Sequence, residues 1–414
     1  MSYIVYAIPV FFLLIALELA ITRFQEKDYY SLADSVANLS CGLVQQLVEV
    51  ALKTFLFAGY LYLYAHHRLF DVPLHSVAAW AGCLLAQDFL YYWFHRTSHE
   101  VNAFWAAHVV HHSSEEYNLA VALRQGTLQQ AFSWIFYLPL AVAGFPPVMF
   151  LTVSSIDTLY QFWVHTRAIG KLGPLEGVLS TPSNHRVHHG RNPKYLDRNH
   201  GGILIVWDRL FGTYAAEEEE PVYGITTPLR SWNPVWANLH YWASLLGDAR
   251  RAARPLDKVR LFLARPGWRP ADLGGHQHPP EVDRATATRF ASTASAGLQA
   301  YVVVPFVSAL TLGILFLVRQ DAWTAGARWA AAAYVIVTLV AGAGLLERQR
   351  WAVPLEIARL VAAVPLVHAA SLAWPLVRAS WAPAALTAAA VIVASVLLLR
   401  ITAPLAASAT GRAA

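Results

Sequence analysis

Charge is what this sequence has least of. Of its 414 residues only 14% are Asp, Glu, Lys or Arg, where a soluble domain carries roughly a quarter. With a mean hydropathy of +0.39, that shortage excludes an ordinary soluble enzyme and a disordered chain. The charge imbalance is small too. The 31 basic and 26 acidic residues leave +5, too mild for a nucleic-acid partner. Cysteine is almost absent: Cys41 and Cys83 both lie in apolar stretches, which excludes a disulfide framework and a cysteine-based zinc site. Histidine runs the other way, with 17 residues in an apolar chain, and needs a cause.

A membrane span takes about 20 mostly apolar residues. The first candidate is Tyr3–Thr22, too long and too poor in N-terminal charge for a signal peptide. The second, about Val36–Tyr64, is interrupted by Gln45, Gln46, Glu49 and Lys53 and reads as partly interfacial. Then come Leu74–Phe94 and the pair Leu128–Ala143 and Pro146–Val164, with a Gly-Phe-Pro-Pro turn between them. The tail adds Leu298–Val318, Trp329–Leu346, Val353–Trp374 and Ala382–Leu399. The expected fold is all-α: a polytopic integral membrane protein with eight or nine transmembrane helices and a cytoplasmic helical cap carrying the histidines.

The largest polar stretch, Arg167–Gly297, includes the run Glu217–Glu220, read as a solvated acidic loop. Its arginines, with Arg96, Arg124, Arg23, Lys27, Arg348 and Arg350, place it on the cytoplasmic side by the positive-inside rule. Arginine outnumbers lysine 26 to 5 and alanine is abundant, as in GC-rich bacterial genomes. The expected location is the bacterial cytoplasmic (inner) membrane. Gly267–Arg289, rich in Gly, Pro and His, reads as a linker. The expected division is N-terminal helices (1–73), a catalytic domain (74–230), a cytoplasmic connection (231–297) and C-terminal helices (298–414). No repeat is found.

Eight histidines fall in three short clusters: His95 and His99; His108, His111 and His112; and His185, His188 and His189. On a helix, residues three or four apart are neighbours, so each cluster can offer two or three imidazoles to one point. Imidazole suits iron, zinc, copper or nickel. One metal does not accept eight imidazoles, so two ions are inferred. Neutral ligands leave two divalent ions poorly compensated, which calls for carboxylates close by. Glu100, directly after His99, is one candidate, with a plain solvated carboxylate as its alternative. Asp88, two helical turns before His95, is the other. It either orients a ligand histidine through the second ring nitrogen or makes a buried hydrogen bond to another span. Zinc has no redox chemistry, whereas iron with open positions activates dioxygen. A lipid with few reactive groups needs such an oxidant, so two irons and dioxygen lead the reading.

These clusters, in this order, resemble the fatty acid hydroxylase/sterol desaturase superfamily of di-iron oxygenases. Longer phrases narrow the likeness: WFHRTSHEVN (Trp93–Asn102), HHSSEEYNLAVALRQ (His111–Gln125), LYQFWVHT (Leu159–Thr166), LGPLEGVLSTPSNHRVHHGRN (Leu172–Asn192) and WDRLFGTY (Trp207–Tyr214). They are most similar to the alkylglycerol monooxygenase group, the tetrahydrobiopterin-dependent ether-lipid hydroxylases. The likeness covers about Leu74–Thr227. It implies metal ligation by His95, His99, His108, His111, His112, His185, His188 and His189, with His165 as a ninth ligand and Glu100 as a matching carboxylate. Asn184, standing where animal members have another histidine, and His200, standing where a tyrosine is common, depart from the pattern; both are left as weak or water-mediated ligands outside the firm set.

The resemblance also implies the reaction. Hydrogen is removed from the alkyl carbon bonded to the ether oxygen, and hydroxylation there gives a hemiacetal that breaks into a fatty aldehyde and a glycerol derivative. The expected partners are a membrane lipid, dioxygen and an electron donor, with tetrahydrobiopterin as one donor the resemblance offers. Tyr91, Tyr92, Trp93, Trp105, Phe162 and Trp163 either shape a lipid pocket or anchor the interface. His66, His67, His75, His240, His276, His278 and His368 carry no expected metal role. Two alternatives stand. One is a superfamily hydroxylase or desaturase of another lipid, a fatty acyl chain or sterol. The other is a metal transporter, whose ligands should line spans near the midplane rather than cluster at one face.

Overall fold

A computed structural model describes residues 4–282, 287–372 and 382–410. The chain forms two compact units, Met1–Arg230 with Val235–Phe290, and Ser231–Pro234 with Ala291–Ala414. The described elements are helical throughout, with isolated bridges at Leu179–Leu204 and Gly190–Tyr223.

The first unit opens with α1 (Ile4–Phe24) and α2 (Leu32–His67), followed by α3 (Val77–Glu100) and α4 (Asn102–His112). Next come α5 (Gln129–Ala143), α6 (Pro147–Trp163), the short α7 (Pro182–His188) and α8 (Val206–Leu210), and then α9 (Pro234–Arg251) and α10 (Pro255–Leu263). Local signals set the boundaries. The Ser31 and Ser76 side chains accept the Asp34 and Ala79 backbone N–H groups, capping α2 and α3. Gly144 ends α5 at φ +94°, and a Cβ there would lie 1.8 Å from the Phe70 carbonyl oxygen, so only glycine fits. α3 packs against α4, α5 and α6, and α2 packs against α5. Cys83, Met149 and Val153 form one apolar contact of this core, and Tyr60 donates to the Phe145 carbonyl at 2.9 Å in another.

The second unit packs α11 (Ala296–Arg319), α12 (Ala325–Leu346), α13 (Ala352–Leu372) and α14 (Ala382–Thr410) in sequence, with α11 also touching α14. Cys41 and Cys83 are both free and buried.

The all-α class holds, but eight or nine spans do not. Among the described residues three helices are long and apolar enough to cross a membrane: Ala7–Phe24, Ala296–Ala322 and Ala325–Leu346. Of the other candidates, two are too short and two are interrupted by charge. At 1.5 Å per residue, α5 and α6, with 15 and 17 residues, reach about 22 and 26 Å, short of the ~30 Å hydrocarbon core. α2 and α3 are long enough, but α2 carries Asp34, Glu49 and Lys53, and α3 ends in His95, Arg96, His99 and Glu100. α13 holds the charged pair Glu356 and Arg359, and among the described residues the apolar run of α14 is Ala385–Leu398. The expected span Val353–Trp374 runs past Leu372 into residues outside those described. Hydropathy counted the apolar side chains that, in this fold, wrap buried polar ones.

Candidate metal centre

Helix α3 brings His95 and His99 to its C-terminal turns, and a single residue, Val101, reverses the chain into α4. That junction is tied down by Asn102. Its side-chain amide donates to the Leu261 carbonyl at 2.8 Å, its backbone N–H donates to Ala264, and its amide oxygen accepts from Tyr241 at 2.6 Å. At the other end of α4 the buried Arg124 donates to the Val110 carbonyl (2.7 Å), Ser113 and Asn38, fixing the turn that carries His111 and His112.

α7 begins at the Thr181 cap with Pro182 in its first turn. Arg186 locks α7 in place. It grips Glu217 through two contacts of 2.7 Å and donates to the Thr166 and Ile169 carbonyls at 3.0 and 2.7 Å. This sets His185 beside His165. The acidic run Glu217–Glu220 is therefore no simple solvated loop: Glu217 clamps α7, Glu219 accepts from Asn192, and Glu220 pairs with Arg167.

All nine histidines come together, in two groups whose nitrogens lie within 4.8 Å of one another: His95, His99, His108, His112 and His188; and His111, His165, His185 and His189. The groups adjoin, with the His112 and His189 rings stacked at 4.4 Å. One expectation needs correcting. The second and third clusters do not each converge on one point. α4 gives His108 and His112 to the first group and His111 to the second, while the third cluster gives His188 to the first and His185 and His189 to the second.

Five rings are held by their Nδ1 atoms. His95 donates to the His200 carbonyl (2.8 Å), His108 to Gln129 Oε1 (2.8 Å), His111 to the Arg124 carbonyl (2.9 Å), His165 to the Gln161 carbonyl (2.7 Å) and His188 to the Arg198 carbonyl (2.9 Å). A proton on Nδ1 leaves Nε2 as a bare lone pair. Those lone pairs converge: Nε2 of His108 lies 3.1 Å from Nε2 of both His95 and His112, and Nε2 of His165 lies 3.2 Å from that of His111 and 3.0 Å from that of His185. Two bare nitrogens cannot bond each other, as in the pairs His95–His108 and His111–His165; a shared cation would satisfy both. His99 Nε2, His188 Nε2, His189 Nε2 and His185 Nδ1 are buried with no partner at all. Burial, reinforced in most by neighbouring imidazoles, holds the nine rings neutral, with His108 and His165 pushed down to about 4. Neutral rings with stranded lone pairs fit metal ions, one to each group.

The two expected carboxylates sit elsewhere. Glu100 pairs with Arg96 (3.1 Å) and Arg265 (3.5 Å). Asp88 accepts the Ile203 and Leu204 N–H groups (2.7 and 3.1 Å) and the Trp207 indole (2.8 Å), so its contacts are with α8 and the loop leading into it and with no histidine. Neither belongs to either nitrogen group. Asp208 holds the same loop by accepting from His200 and Gly201 (2.8 and 2.7 Å). A Cβ on Gly202 would lie 2.9 Å from Asp157 Oδ1 and 3.1 Å from Asp88 Oδ1, so the loop needs glycine to approach. Sequence reasoning missed Asp208 and Gln129, which lie in no histidine phrase, and the carbonyls, which no residue type marks. Asn184 binds the Glu176 and Leu179 carbonyls. His66, His67, His75, His276 and His278 are exposed.

The fatty acid hydroxylase family model matches residues 80–213, the segment holding every residue of both groups. Alkylglycerol monooxygenase of Homo sapiens is 41% identical over 308 residues, 74% of this chain and 69% of the relative. That of Xenopus tropicalis is 36% identical over 362 residues, 86% and 80% of the two chains. An ornithine lipid hydroxylase of Rhizobium tropici is 30% identical over 132 residues, 32% of this chain and 40% of the relative. No solved structure matches this chain.

Proposed function

The chain belongs to the fatty acid hydroxylase/sterol desaturase superfamily, among the relatives of alkylglycerol monooxygenase, and from that premise we propose that it hydroxylates the ether-linked alkyl carbon of alkylglycerol lipids with two irons and dioxygen. One observation carries the reading: two adjoining groups of buried neutral imidazoles, five and four, with stranded lone pairs. Such counts exceed the three protein ligands of a catalytic zinc and suit iron, which adds the redox chemistry that zinc lacks. Bound there, the irons supply dioxygen activation, one oxygen atom entering the C–H bond and the other leaving as water with two electrons from a reductant.

The chain's own residues orient and exclude. The Nδ1 hydrogen bonds fix five rings before metal arrives, so little reorganisation is needed on loading. Burial keeps bulk water from the rings. The three apolar helices hold the protein in the membrane, where an alkyl tail is already dissolved. The favoured carbon is the one beside the ether oxygen, which stabilises a radical there. The resulting hemiacetal breaks its C–O bond as its hydroxyl proton passes to the departing oxygen, giving a fatty aldehyde and a free glycerol hydroxyl. The family phrases are the ground for tetrahydrobiopterin as the electron source, and the arginine-rich polar segments with the excess of arginine over lysine are the ground for a site facing the cytoplasm of a bacterium.

A second reading, oxygenation of another lipid, is favoured by the similarity to the ornithine lipid hydroxylase. One assay separates them. The iron-loaded protein receives an alkylglycerol, dioxygen and tetrahydrobiopterin, and fatty aldehyde is measured, with acyl lipids offered in parallel. Aldehyde release is expected. Hydroxylated acyl chains with the ether untouched would overturn the ether assignment in favour of the second reading.

A further inference from the structure

His200 lies outside both groups, yet it is fully buried at 0% exposure against the first. Its ring centroid stands 5.0 Å from that of His99, 5.6 Å from His188 and 5.7 Å from His95. Within the first group, rings in contact stand 4.4 to 5.3 Å apart, so His200 lies against His99 and at the edge of the group. Neither of its ring nitrogens makes a hydrogen bond. The Asp197 carbonyl lies nearby without hydrogen-bond geometry. A buried imidazole without a partner is destabilising, which calls for a ligand.

The ring is not loosely held there. The His200 backbone N–H donates to Asp208 at 2.8 Å, and its carbonyl accepts the His95 Nδ1 proton at 2.8 Å. Asn199, just before it, sits at φ +57° and is fixed by its side-chain amide to the Asn184 and Ala215 carbonyls. The backbone is thus clamped on both sides, and one of its clamps is itself a member of the first group.

A six-coordinate metal held by these five imidazoles would keep one place free. The donor set is wholly neutral, so that place suits a small anion or a polar diatomic. We propose that His200 borders this open position of the first group and hydrogen-bonds to the small ligand held there. The inference rests on the metal reading above but concerns a residue that reading does not use.

The test loads the full chain with Co(II) and titrates it with azide, following the visible absorption of the metal. Metal content is measured on the same samples. For His200→Phe, unchanged cobalt content and an azide Kd weakened about tenfold or more are expected, since one hydrogen bond to a charged ligand is lost. His200→Gln, which keeps a donor, should recover most of that loss. If the Phe variant does not accumulate, His200→Leu against His200→Gln gives the same comparison. Equal or tighter azide binding without the donor would overturn the role of His200 alone. A wild-type chain that takes up no cobalt would overturn the metal reading first, and this one with it.

Discussion

Both units bury charged or polar side chains among apolar helices, but they leave them in different states. In the second unit, Arg359 meets Glu356 through contacts of 2.7 and 2.6 Å and donates to the Tyr334 hydroxyl at 2.6 Å, while Tyr301 donates to Glu356 at 2.7 Å. That network is closed. In the first unit, nitrogens of His99, His185, His188, His189 and His200 are just as buried and have no partner. A satisfied buried group holds a fold together, whereas an unsatisfied one is destabilising until something binds. Sequence composition cannot separate the two cases, because Glu, Arg and His in apolar helices look equally anomalous.

The sharpest way to break this contrast is to remove one stranded ligand from each histidine group. His188→Ala empties part of the first group and His111→Ala part of the second. Each is expected to abolish turnover and to lower the metal content from two ions to one per chain, measured by elemental analysis. The exposed His276→Ala should change neither. Full activity in both group variants would end the two-metal reading.

The closed network predicts the opposite pattern. Arg359→Met leaves Glu356 buried beside two tyrosines with no cation, and breaking such a pair costs about 3–5 kcal/mol. The double variant Glu356→Leu/Arg359→Met should recover most of that, because no charge is left stranded. Metal content should stay at the wild-type value in both. Thermal unfolding in detergent measures the first effect and elemental analysis the second. Metal loss in the single variant would mean that the comparison between the units is wrongly drawn.

How much of this was legible in the sequence depends on what each feature requires. The helical class and the eight clustered histidines were readable, since local spacing and residue type suffice for both, whereas His165 came only from the family likeness. The count of spans was not, because hydropathy sums apolar residues without knowing which face of α3 carries Asp88 or that α5 is 15 residues long. The division of His108, His111 and His112 between two groups was hidden as well. Helical neighbours at i and i+3 share a face, but two groups that adjoin, with the His112 and His189 rings 4.4 Å apart, can split one face. Asp88 was visible as an anomaly but its task was not: the segment Ile203–Trp207 that it holds is more than a hundred residues away along the chain.

The finest test of the contrast stays inside the first unit. Asp157 on α6 is buried, and its Oδ1 has no partner. Burial, with Asp88 as the second cause, pushes its carboxyl up to about 8, so at neutral pH it is a neutral acid that asparagine imitates closely. A carboxyl raised above its unfolded value of 3.8 binds a proton more tightly when folded. Its contribution to stability is full below pH 3.8, declines as the pH rises to about 8, and is flat above that. Asp157→Asn has no such group. Unfolding measured for both proteins from pH 4 to pH 9 should therefore show the variant gaining on the wild type by at least about 1 kcal/mol across that window, with no further gain above it. The histidines titrate in both proteins and cancel in the difference. A difference that does not change with pH would mean that Asp157 is as well satisfied as the Glu356–Arg359 pair, and an unpartnered oxygen would then no longer separate a buried acid from a closed network.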